Sequence, residues 1–348
     1  MTIESFVRAL PKVELSLQLD GALPLNTLLM IADHNDIAGT LKGYRTWLAS
    51  VKSPEPKRAF EIARMAASWL RHPDDLRRIV YDVGLGLAKQ NVVYAEIGIA
   101  PSLFEGVSAS LEELFAAAND GADRVRRAWG LEMAWVVMIP RDEPRRSDEL
   151  SRWATTAAAR KANVVGLGVS GKESTQPAGQ FERAFRAVEK KELPRIVRAG
   201  DSDGAEGILD AIGALSPTRL IDARGLLDSP EALQLVIERG ITVVMGGARS
   251  LKAGFVRDLA DLPLHALMDA GVRVTVGADM PSIYGTTLTD DYLALVRSGA
   301  LTTDSLEDVV LNAARGTALA PEAREALVER LRGEIASLRE THLVPGGA

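Results

Sequence analysis

Cysteine is absent from the 348 residues, so neither a disulfide nor a thiolate metal site can form. Histidine is nearly absent: His34, His72, His265 and His342 are the whole supply, and each falls in a helix-patterned stretch or the tail. No apolar run approaches the ~18 residues of a membrane span. The opening MTIESFVRALPK has no basic-then-apolar signal pattern, so the expected location is the cytoplasm. The formal net charge is −6 and the Lys and Arg residues are scattered, which offers no basic face to a phosphate backbone and excludes nucleic acid as a partner. Also missing is a Gly-x-Gly-x-x-Gly turn after the first apolar run, which argues against a doubly wound dinucleotide fold.

What is present is enough apolar material for a large core: 47% hydrophobic residues and a mean hydropathy of +0.03. Eight short apolar runs rich in β-branched residues read as strands: Val13–Leu19, Val92–Ile99, Met133–Ile139, Val164–Val169, Arg195–Val197, Arg219–Ile221, Ile241–Met245 and Val272–Val276. Between them, apolar residues recur at three- and four-residue spacing in Leu111–Ala128, Trp153–Ala162, Phe181–Lys190, Ala205–Leu215 and Leu233–Glu238, which predicts helices. Strict alternation of near-continuously apolar strands with helices implies a parallel sheet, and eight units imply a closed (β/α)₈ TIM barrel. A doubly wound open sheet is the alternative. We expect one domain over 1–348, with a helical insertion near 25–89 after the first strand and C-terminal helices over 305–338.

In such a barrel the site lies at the C-terminal ends of the strands, and those ends are polar here. They carry Ser16, Gln18, Asp20 and Gly21; Glu96; Ser170, Gly171, Lys172 and Glu173; Arg198, Gly200 and Asp201; Asp222 and Arg224; Gly246, Gly247 and Arg249; and Asp279. Lys172 and Glu173 read as a solvated loop pair, and Glu96 as a buried carboxylate bonding neighbouring strands or, alternatively, a substrate contact. Arg224 and Arg249 read either as contacts to an acidic group on a ligand or as solvated or paired surface residues.

These strand ends resemble the adenosine deaminase family. PKVELSLQLDGALP is similar to its PKxELHxHLDG opening, VVYAEIGIAP to YxExRxxP and VVGLGVSGKE to GxDLAGxE. LPRIVRAGD resembles its HAGE segment, RLIDARG stands in the place of RIGHG, and VTVGADMP in that of the NTDDP turn. The resemblance runs from about Pro11 to Leu331 and implies a barrel enzyme acting on a purine nucleoside through a zinc ion. The zinc-ligand positions carry Ser16, Gln18, Arg198 and Asp279, the acid/base Glu is replaced by Asp201, and the His of RIGHG by Asp222. Serine and glutamine are poor zinc donors, and arginine presents only donor N–H groups. The sequence therefore leads us to expect no metal and no cofactor, with Asp201, Arg198, Asp279 and Asp222 as the catalytic set. Ser16, Gln18, Asp20, Gly171 and Glu96 are the expected substrate contacts. Arg198 would stand in for the metal's charge, ion-paired with Asp279 and Asp222.

Three functions remain open on the sequence: a metal-independent hydrolytic or eliminative enzyme acting on a purine-nucleoside-like small molecule, the leading expectation; a catalytically silent homologue that binds a small molecule or partner protein; and an adenosine deaminase with an atypical metal site. Nothing in the sequence fixes the oligomeric state.

Overall fold

Residues 2–107 and 109–343 are described by the computed structural model. Eight parallel strands pair in sequence order: β1 (Lys12–Glu14), β2 (Val92–Ile99), β3 (Glu132–Pro140), β4 (Val164–Ser170), β5 (Arg195–Ala199), β6 (Arg219–Asp222), β7 (Thr242–Met245) and β8 (Arg273–Val276). With helices between them, this is a (β/α)₈ barrel. Nearly every strand residue is buried, as expected for strands that face side chains on both surfaces. Among the described residues no helix is long and apolar enough to cross a membrane.

The ladder does not run continuously across the seam between β8 and β1. There the Glu14 carboxylate accepts the Ala278 N–H at 2.9 Å, and the Gln18 N–H donates to the Asp279 carbonyl at 2.8 Å. This explains why β1 is only three residues long, where the apolar pattern predicts Val13–Leu19. The Ser16 N–H turns to the nearby Glu14 carboxylate at 2.8 Å instead of a neighbouring strand. The chain beyond it makes one isolated bridge, Gln18 with Gly98, before the turn Leu19–Gly21. Gly21 is required by close approach, because a Cβ there would lie 2.2 Å from Met280 Cγ.

The helices follow local chemistry. Leu111–Trp129 starts at a reciprocal Ser110–Glu113 capping box and stops at left-handed Gly130. The expected Trp153–Ala162 helix is two: Ser147–Ala154 ends, and Thr156 caps a new start by accepting the Ala159 N–H. Five helices fill the stretch between β1 and β2: Leu25–His34, Ile37–Thr40, Tyr44–Lys52, Ala59–Ala67 and Pro73–Ala88. Of these, Ala59–Ala67 matters most for the site, because Ala59, Ile62 and Ala63 pack with Met280, Ile283 and Tyr284, and Phe60 packs against that cluster. Two helices, Thr303–Arg315 and Pro321–His342, end the described chain.

Candidate functional site

At the C-terminal mouth, three arginines and three aspartates from four successive strand ends form one closed ion-pair network. Arg198 on β5 is 1% exposed. Its Nη1 donates to Asp222 at the end of β6, and its Nη2 to Asp279 after β8 at 2.5 Å. Arg249, on the short helix Gly247–Lys252 that follows β7, directs Nε to Asp222 at 3.1 Å, Nη2 to Asp201 and Nη1 to the Tyr284 hydroxyl at 2.9 Å. Arg224, in the turn after β6, bonds Asp201 and reaches Asp222 at 3.1 Å. The signs balance, so the network with all six groups ionised carries no net charge. That balance is what makes the burial tolerable, since an isolated buried ion costs several kcal/mol. Phe60 and Phe255 cover the arginines, with the Arg224 guanidinium carbon 3.6 Å from the Phe255 ring centre and that of Arg198 5.7 Å from Phe60.

The backbone is bent to deliver these carboxylates. Asp222 has φ +80° and Asp279 has φ +56°, a left-handed region that non-glycine residues enter at a cost of about 1–3 kcal/mol each. Aspartate tolerates it better than most residues, and the arginine pairs hold it in place.

Burial opposes ionisation of both Asp201 and Asp222. In Asp222 the charges of Arg249, Arg198 and Arg224 outweigh burial and hold the carboxyl well below its ordinary range. In Asp201, burial and the nearby Asp222 charge prevail over the arginines and push the carboxyl up to about 6. The two carboxylates repel one another, and of the pair Asp201 is the one whose proton affinity is raised.

Glu173, read from the sequence as part of a solvated loop pair, is instead buried and organises the loop after β5. Its carboxylate accepts the N–H groups of Gly200 and Asp201 at 2.8 Å, Ser202 at 3.0 Å and Asp203 at 3.3 Å. Lys172 is exposed. Arg141, absent from the expected set, is also buried and bonds the Arg198 carbonyl at 2.8 Å and the Gln176 carbonyl at 2.6 Å. The signal for Glu173 was an acidic residue beside a strand end with a Gly-Asp-Ser-Asp-Gly run to receive it. Arg141 had no local signal. Arg224 and Arg249, left open between ligand contacts and surface pairs, are members of the buried network.

The other expected residues divide into groups. Asp20 and Gly171 line one cavity of about 350 Å³ at the mouth, together with Phe60, Arg64, Pro140 and Ser170. Asp20 is buried, and burial, with Asp279 adding to it, pushes its carboxyl up to about 6. Ser16 and Gln18 are buried at the β1–β8 seam, where the Ser16 hydroxyl donates to Glu14 at 3.2 Å. Glu96 is elsewhere: it pairs with Arg219, from the first residue of β6, at 2.6 Å and accepts the Ala318 N–H at 2.5 Å. That places it among groups at the opposite end of the barrel, as a strand-bonding carboxylate. Among the described residues, no three or more His, Cys, Asp or Glu side chains are grouped so as to hold a metal ion.

Known proteins with this architecture include an amidohydrolase from Burkholderia ambifaria solved with bound Zn, at a TM-score of 0.88 and 23% identity over 98% of this chain and 95% of that one. The N6-methyl-AMP deaminase of Arabidopsis thaliana superposes at 0.83 with 19% identity, covering 97% and 100%. In sequence, the adenosine deaminase of Enterococcus faecalis is 26% identical over 94% of this chain and 98% of its own length. The aminodeoxyfutalosine deaminase of Acidothermus cellulolyticus is 28% identical over 84% of each. The model of the adenosine deaminase family matches residues 11–334, and the chain belongs to that family.

Proposed function

We propose that this member of the family binds a purine-nucleoside-like small molecule in the mouth cavity without a resident metal, and that its former reactive set serves as a structural ion-pair network. The observation that carries this reading is the division of the mouth: Asp20 and Gly171 share an open cavity with Phe60, whereas every carboxylate of Asp201, Asp222 and Asp279 is engaged by arginine. A cavity of about 350 Å³ falls within the range of small-molecule sites, and the Phe60 ring with the carboxylates of Asp20, Glu61 and Asp142 suits a flat base bearing hydroxyl groups. The relatives named for adenosine and aminodeoxyfutalosine support the ligand class.

The donor set does not fit zinc. Zinc takes His, Cys or carboxylate ligands in a tetrahedron, but the group between Asp222 and Asp279 is the Arg198 guanidinium, which has no lone pair to give and carries positive charge. Ser16 spends its hydroxyl on Glu14.

One observation favours a second reading, metal-free hydrolytic or eliminative chemistry with Asp201 as acid or base and Arg198 stabilising negative charge. Asp201 is held at about 6, close to the working pH of a proton-transfer group, and its side chain keeps 9% exposure. Calorimetric titration with adenosine and related nucleosides, elemental analysis of the purified protein and mass-resolved product analysis separate the readings. Binding without product supports the first. A product that disappears in Asp201→Asn supports the second. Near-stoichiometric zinc with inosine formed from adenosine overturns both.

A further inference from the structure

The opposite end of the barrel carries a second, larger cavity of about 830 Å³, and its chemistry is unlike the mouth's. It is framed by the N-terminal ends of β5 to β8 and by the segment that joins the two final helices. Six arginines line it, Arg195, Arg219, Arg239, Arg273, Arg315 and Arg324, together with the carboxylates Glu189 and Glu192. Among the described residues, carboxylates come within 4.0 Å of two of the six: Glu96 pairs with Arg219 at 2.6 Å, and Glu189 lies 3.9 Å from Arg195. The remaining four make only neutral contacts: Arg239 to the Ile212 carbonyl at 3.4 Å, Arg273 to the Gly240 carbonyl at 3.4 Å, Arg315 to Asn312 Oδ1 at 3.1 Å and Arg324 to the Thr317 carbonyl at 3.5 Å. Arg273, Arg315 and Arg324 are half-buried. Burial, then the charges of Arg315 and Arg324, depress the proton affinity of Arg273, so these guanidiniums repel one another within a partly desolvated space.

Such an arrangement is unfavourable by itself. In a chain whose formal net charge is −6, carboxylates are not scarce, yet among the described residues none comes within 4.0 Å of Arg239, Arg273, Arg315 or Arg324. Guanidinium forks match phosphate oxygens in bidentate geometry, and several converging on one cavity suit a group bearing more than one negative charge. Beside them, Pro194, Pro217 and Leu319 supply apolar wall. The volume is at the upper end of the range for small-molecule sites.

We propose that this basal cavity is a binding site for a small oligophosphate, with Arg273, Arg315 and Arg324 as the phosphate-binding residues. It is separate from the mouth and independent of the nucleoside reading above. Occupation would neutralise the repulsion and so stabilise the folded chain.

The test is calorimetric titration of the full chain with tripolyphosphate and with ATP at constant ionic strength, paired with thermal melting. The Arg315→Gln/Arg324→Gln double variant and, at the mouth, Lys172→Ala are measured in parallel. Tripolyphosphate should bind and raise the melting temperature. The double variant should weaken binding by about tenfold per guanidinium removed, equivalent to about 1.4 kcal/mol each, whereas Lys172→Ala should bind like the parent. Tighter binding of ATP identifies a nucleotide as the occupant, and equal binding identifies the phosphate chain alone. Absence of binding by both polyanions overturns the proposal. So does binding that survives in the double variant but is lost in Lys172→Ala. Without ligand the double variant should melt no lower than the parent; a lower melting point with unchanged affinity would show that the arginines are structural and would also overturn it.

Discussion

The two ends of the barrel use arginine in opposite ways. At the mouth, Arg198, Arg224 and Arg249 are each matched by aspartate oxygens in a net-neutral, buried network. At the base, Arg273, Arg315 and Arg324 face neutral acceptors and one another. The first arrangement completes itself and has little left to offer a ligand; the second is incomplete until an anion arrives. Arginine at a strand end is therefore not a functional signal by itself. What decides is whether the fold brings carboxylates to it.

The sharpest way to break that contrast is Arg198→Ala, which removes the nearest partner of Asp279 and leaves the buried network with one aspartate charge in excess. It should cost about 3–5 kcal/mol in denaturant unfolding, the usual penalty for leaving a buried charge unpaired. An unchanged midpoint would mean that the network contributes nothing to stability. Next comes Glu173→Gln, which replaces an acceptor of four backbone N–H groups by an amide with one fewer oxygen. A loss of about 1–3 kcal/mol is expected, and faster amide hydrogen exchange confined to Gly200–Asp203 would locate it.

Asp20 gives a pH-dependent test of the mouth. Its carboxyl is raised to about 6 in the folded chain, against about 3.9 in an unfolded one, so the folded state holds the proton more tightly. Its contribution to stability is thus fully present below about pH 4 and is lost as the pH rises through about 6. Asp20→Asn should flatten that part of the melting profile and be more stable than the parent by about 3 kcal/mol at pH 7. Asp201, also held at about 6, adds a slope of the same sign, whereas the depressed Asp222 loses its contribution only under strong acid. If Asp20→Asn leaves the profile unchanged, the buried carboxyl is not the titrating group. The smallest effect is expected at the base, where Arg315→Gln removes one like charge from a half-exposed cluster and should raise stability by about 0.5 kcal/mol in low salt, fading as salt is added.

Much of the barrel is legible in the sequence alone. The apolar runs of β2 to β8 fall where the pattern puts them, because a strand buried on both faces must be apolar along its length. The miss at β1 has a local cause: Glu14 captures the Ser16 N–H and pulls the chain off the ladder. The split of Trp153–Ala162 comes from the capping preference of Thr156, which a periodicity count passes over. At the mouth, the expected pairing of Arg198 with Asp279 and Asp222 is present, and Asp20 and Gly171 share a cavity. Glu96 is out of reach for sequence reasoning in a different way. It lies mid-strand, and only the arrival of Arg219 from β6 shows which end of the barrel its side chain serves.

By itself, the sequence determined the alternation of strands and helices, the number of units and the family, since these follow from short-range periodicity and ordered motifs. It also determined that cysteine plays no part and that histidine is too sparse and too widely spaced for a cluster within one segment. Only the tertiary structure decided which charges cancel. Arg198 meets Asp222 across 24 residues and Asp279 across 81, and Arg249 meets Asp201 across 48. Coulomb energy depends on distance in space and on the surrounding dielectric, and neither is a property of sequence separation. For the same reason Arg273 and Arg315, as ordinary in sequence as any others, become an unanswered pair of charges only when the barrel closes.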